Sequence, residues 1–180
     1  MAVFHSTTGS NGSNCDHHLV LARLGDPKRG DIVTFSSPKA GIRLIKRVIG
    51  LPADIVVMRN KKLLINGQPV AYAAMGIAIE DLGKGDKLST LRVKEELGDH
   101  PYQIQWLAGG GNVPNFGPMA IPTDQYLMLG DNRDDSADSR FIGLVPRDLL
   151  IGRAERILVS AAITADWMPR FERFGKSFYE

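Results

Sequence analysis

A single cysteine, Cys15, is all that the 180 residues contain, so no disulfide can form within the chain and paired-thiol redox chemistry is excluded. Charge of one sign is missing too. The 22 basic and 20 acidic residues leave a formal +2 spread along the chain, without the basic stripe that a nucleic-acid partner requires. Apolar runs such as residues 157–159 and 161–163 fall far short of the roughly 18–20 residues of a membrane span. The opening residues, MAVFHSTTGSNGSN, have neither a positive start nor an apolar h-region, so they do not read as a secretory signal. They read instead as a disordered leader rich in Ser, Thr, Gly and Asn, over 1–16. His17 and His18 are adjacent with no third ligand in sight, and no metal or other cofactor is expected.

What is present is an ordinary core-forming composition, 43% hydrophobic and 23% charged, enough for one domain with an appended lobe. GDIVTF and IRLIKRVIG read as strands joined across SSPKAG, and DIVVMRN and KLLING as a second hairpin across Asn60 and Lys61. Such closely spaced strands predict a mainly β fold with an antiparallel sheet or barrel core. Residues 76–120 are more charged and Gly-rich, with candidate strands in STLRVKEEL and YQIQWL, and read as an inserted β hairpin or lobe. The core is then expected over 17–75 and 121–175, with 176–180 as a tail.

Two places carry chemistry. Over residues 44–49 of RLIKRVIG, strand alternation puts Leu44, Lys46 and Val48 on one face and Ile45, Arg47 and Ile49 on the other, so each face has one cation among aliphatics. A lysine so placed is either a snorkelling edge residue or an amine held uncharged by burial, fit for base chemistry. The loop GDNRDDSADSR, residues 130–140, could be a solvated turn. It is no EF-hand, because Ala137 stands where the sharp turn wants Gly and Gly143 where a bidentate Glu should close the site. Asp138 is expected to pair with Arg140 or Arg133 and so present the Ser136 hydroxyl, which could orient a neutral lysine as the base of a Ser-Lys pair.

IKRVIGLPAD together with GDNRDDSADSRFIGLVP, preceded by RGDIVTF and followed by LLIGRAERI, closely resembles the type I signal peptidase (leader peptidase) family over roughly residues 17–175. The resemblance implies a coiled, barrel-like antiparallel β core with a smaller inserted β lobe. It makes Lys46 the general base and Ser136 the residue that orients it. Asp138 and Arg140 become the structural ion pair, and Gly130 and Asp131 the opening of the same loop. It also implies a partner and a place: preprotein signal peptides cut after an Ala-x-Ala-like site, on the outer side of a bacterial cytoplasmic membrane.

Two departures qualify the match. Ala53 stands where the family's GLPGD has Gly, and a turn needing positive φ would be mildly strained by it. The family's nucleophile segment, Ser-Gly-Ser-Met-x-Pro-Thr, has no counterpart. Ser10 in TGSN is the nearest approach, with Asn11 in place of Met and no Pro-Thr following. The expectation from these residues is a chain shortened at its N-terminus that does not cleave signal peptides as it stands. The alternatives are a non-catalytic peptide-binding module on the same fold, or a soluble Ser-Lys peptidase using a leader serine.

Overall fold

The structure, a computed structural model, describes residues 25–83, 86–110, 115–156, 161–162, 168–169, 174–177 and 179. The expected leader, with Ser10 and Cys15, lies outside the described residues, as do His17 and His18.

β1 (Ile32–Ser36) and β2 (Arg43–Gly50) form an antiparallel hairpin in the register Ile32 to Arg47 through Ser36 to Arg43. β3 (Ile55–Arg59) turns into β4 (Lys62–Ile65) at Asn60 and Lys61. Both turn residues have positive φ, 49° and 66°, the backbone that a two-residue turn between twisted strands demands. β5 (Gln68–Pro69) folds back on β4. β6 (Ala71–Gly83), β7 (Asp86–Glu96) and β8 (Tyr102–Leu107) make a three-stranded antiparallel sheet. The chain returns through β9 (Phe116–Ala120), which pairs β3, and β10 (Gln125–Leu129), which pairs β2. After one turn of helix, α1 (Ser139–Ile142), β11 (Val145–Pro146) pairs β10, and β12 (Leu150–Arg153) pairs β1.

The fold is therefore mainly β and antiparallel, as the strand spacing predicts. The lobe sheet begins at Ala71, so the expected boundary at 75/76 falls inside β6, and residues 116–120 pair with β3 rather than with the lobe. No helix among the described residues is long and apolar enough to cross a membrane.

The five-stranded sheet, in the order β11-β10-β2-β1-β12, is covered on both faces over its central residues. Val33, Phe35, Val48, Tyr126 and Met128 pack on one side. On the other, Ile49, Leu127 and Leu129 meet Met58 and Leu63 from β3–β4 and Val93 and Ile104 from the lobe. Burial on both faces removes the usual alternation of apolar and polar residues, which is why Val48 and Ile49 are both fully buried. The same strand carries Lys46 and Arg47 just before that core closes.

Candidate active site

β10 pairs β2 with Met128 opposite Val48 and Leu129 opposite Arg47, so continuing the register by one residue sets Gly130 opposite Lys46. Glycine is required there by space. A Cβ on Gly130 would stand 2.1 Å from Ser136 Oγ and 3.6 Å from Lys46 Nζ, so the lysine amine and the serine hydroxyl converge where the side chain is missing. Lys46 is half-buried between half-buried Leu44 and fully buried Val48. Ser136 Oγ is buried and makes no hydrogen bond among the described residues. The two groups open onto a shallow cavity of about 300 Å³ lined also by Ile45, Asp131 and Asp135.

Asp138 fixes this loop. Its carboxylate, 0% exposed, accepts Arg140 Nε at 2.7 Å and Nη2 at 2.6 Å, and the Arg140 side chain is itself only 1% exposed. Asp138 Oδ2 also accepts the Gly130 N–H at 3.0 Å, so the pair holds the residue on which Lys46 and Ser136 converge. Of the two partners expected for Asp138, it is Arg140 that pairs. Arg133 turns away to Glu95 of the lobe, which takes both its terminal nitrogens, and its Nε donates to the Gly130 carbonyl at 3.2 Å. Burial alone would lower the Arg133 pKa, but the Glu95 carboxylate outweighs it and holds the guanidinium firmly charged.

Asp131 does more than open the loop. It accepts Arg47 Nε at 2.8 Å and Nη2 at 2.7 Å, while Arg47 Nη1 donates to the Gly30 carbonyl at 2.7 Å. The Arg47 guanidinium lies 3.8 Å over the Tyr102 ring, and the Tyr102 hydroxyl donates to Glu95. Burial would pull the Arg47 pKa down and Asp131 raises it above its ordinary value; burial, then the Glu95 charge, push the Tyr102 phenol up. Lys46 and Arg47, on opposite faces of β2, thus separate, Lys46 toward Ser136 and Arg47 toward Asp131. Sequence reasoning placed Arg47 on its face but missed its partner. It missed Glu95 and Tyr102 altogether, and it read Lys61 only as a turn residue, whereas the Lys61 amine binds the loop at Asp134 Oδ2, 2.6 Å away.

The edge of β2 completes the arrangement. β10 stops pairing at Arg47, so among the described residues Leu44, Ile45 and Lys46 have a ladder partner only on the β1 side. An extended peptide could add along that edge and pass the Lys46 amine. No group of acidic, histidine or cysteine residues among those described is arranged to hold a metal ion.

Comparison with known proteins points one way. A family model described as "Signal peptidase, peptidase S26" matches residues 6–159. A signal peptidase I of Pseudomonas fluorescens is 33% identical over 168 residues, covering 86% of this chain and 57% of its own length. One from Pseudomonas aeruginosa is 36% identical over 166 residues, 84% of this chain and 56% of that protein. The chain thus spans somewhat more than half the length of these curated relatives. A crystal structure of a signal peptidase I from Enterococcus faecalis aligns with 73% of this chain and 98% of its own, at 27% identity and a TM-score of 0.45.

Proposed function

The chain belongs to the signal peptidase family, peptidase S26, and from that membership we propose that it is a serine endopeptidase that removes N-terminal signal peptides from preproteins, with Lys46 as general base. The observation that carries this reading is the convergence of Lys46 Nζ and Ser136 Oγ on the space beside Gly130, with Ser136 Oγ buried and not committed to any hydrogen bond among the described residues. In this chemistry Ser136 accepts from the amine and aims its lone pair at the nucleophile. Lys46, as the base, takes the proton of a serine hydroxyl, whose oxygen attacks the scissile carbonyl. The proton then passes to the departing amine as the C–N bond breaks, and Lys46 deprotonates the water that hydrolyses the acyl-enzyme. The substrate lies extended along Leu44–Lys46, and the small cavity suits the alanine side chains of an Ala-x-Ala site. Membrane association belongs to the same proposal, since preproteins present such sites where they emerge from the bilayer.

The test is a preprotein incubated in detergent with two forms of the chain: as given, and joined ahead of β1 to a Ser-Gly-Ser-Met-x-Pro-Thr segment. Each is compared with its Lys46→Ala variant, and products are mapped by mass spectrometry. A single cut after the Ala-x-Ala site that disappears with Lys46→Ala supports the proposal. If the chain as given cuts and Ser10→Ala stops it, Ser10 is the nucleophile. Peptide binding with no cut from either form would instead favour the binding-module reading, for which the open β2 edge alone suffices.

A further inference from the structure

Gly130 is held from both sides: Asp138 takes its N–H, and Arg133 Nε donates to its carbonyl at 3.2 Å. The second hold does not originate in the core. Arg133, 2% exposed, owes its direction to Glu95 on β7, which is 0% exposed and grips both terminal nitrogens of the guanidinium. Tyr102 on β8 donates to the same carboxylate and places its ring beneath Arg47, the neighbour of Lys46. The backbone repeats the connection, because Gln105 N–H donates to the Asp131 carbonyl and Arg133 N–H to that of Gln105. We propose that Glu95, Arg133 and Tyr102 form a positioning cluster through which the inserted lobe sets the Lys46–Ser136 geometry. The lobe is then a working part of the site and not an appendage. This rests on the reading of Lys46 as the base.

Three features favour positioning over mere stability. A buried ion pair contributes little net stability compared with apolar groups of the same volume, so its worth lies in direction. The guanidinium fork is needed for the job, since it can bind one carboxylate with two nitrogens and still aim Nε at a carbonyl, which a lysine ammonium cannot do in the same geometry. The target of Nε is the residue at whose missing side chain Lys46 Nζ and Ser136 Oγ converge.

The experiment measures the rate at which Lys46 of the full chain is modified by an amine-reactive ester, by peptide mapping, with exposed Lys62 and Lys87 as internal references. Two variants are compared with the parent: Arg133→Lys, and the apolar replacement Glu95→Leu with Arg133→Met and Tyr102→Phe, which leaves no buried charge behind. The expected result is a rise of at least about threefold in the Lys46 rate relative to the references in both, as the site opens locally, while urea midpoints show the apolar variant folded. A folded variant with an unchanged Lys46 ratio would overturn the inference, even if its urea midpoint had moved. Labelling needs no turnover, so a chain that cuts no preprotein defeats the proposed function without touching this result. Where cutting is measurable, kcat should fall by up to about 10²-fold in Arg133→Lys with KM held.

Discussion

Breaking the Asp138–Arg140 pair should be among the most destabilising changes available near the site. Asp138 is 0% exposed and the Arg140 side chain 1%, and two parallel bonds of 2.7 and 2.6 Å join them. Asp138→Ala strands a guanidinium whose remaining hydrogen-bond partner among the described residues is the Arg133 carbonyl, 2.6 Å from Nη1, and leaves the Gly130 N–H without its acceptor. Removing one side of a buried pair costs about 3–5 kcal/mol, a large share of the roughly 5–15 kcal/mol that holds a typical domain together. With a urea slope of about 2 kcal/mol per molar, the midpoint should drop by about 1.5–2.5 M. Arg140→Ala should cost a similar amount. The double variant should cost clearly less than the sum, because the second truncation removes the charge that the first left unpaired. Urea unfolding followed by circular dichroism on the four proteins gives the cycle. Small effects that simply add would refute the reasoning and make this loop a solvated turn.

Gly130→Ala puts a Cβ 2.1 Å from Ser136 Oγ, so it should displace Ser136, abolish cleavage in any active form and cost about 1–3 kcal/mol by overpacking, read by urea midpoint and preprotein assay. Ala53 has φ 71°, the strain expected of an alanine in this turn, and Ala53→Gly should raise stability by up to about 1 kcal/mol once the greater freedom of unfolded glycine is subtracted. Burial would raise the Asp54 carboxyl pKa, but the Arg29 guanidinium, the Leu51 N–H and the Asn66 amide outweigh it and hold it below the usual range. A depressed carboxyl stabilises fully above its unfolded value, about 3.9, and that contribution fades as pH falls through the folded value. The stability gap between the parent and Asp54→Asn should therefore be constant above about pH 5 and shrink below about pH 4. A gap that widened on acidification would contradict the assignment.

Legibility in the sequence followed the range of the interaction. The β3–β4 hairpin could be read from Asn60-Lys61 between two apolar runs, and the loop at 130–140 from its dense run of Asp, Arg and Ser, because each signal is local. Lys46 stood out as a cation in an aliphatic strand. Its companion Arg47 stood out equally, yet Asp131 lies 84 residues away and no local rule joins them. Glu95 is the clearest loss. In KEEL it looks like Glu96 beside it, and only the packing of β7 on the core makes one fully buried and the other exposed. The start of the lobe at Ala71 was hidden because β6 runs unbroken through AYAAM into the stretch read as a separate unit.

The most direct test of the account is the rate at which a preprotein is cut by the chain carrying the family's serine segment ahead of β1, with Lys46 intact and with Lys46→Ala. One cut after the Ala-x-Ala site is expected, dependent on the serine, with a loss in Lys46→Ala of at least the roughly 10²–10⁴ that a general base supplies. A folded Lys46→Ala protein that cuts the same bond at a near-normal rate would contradict it.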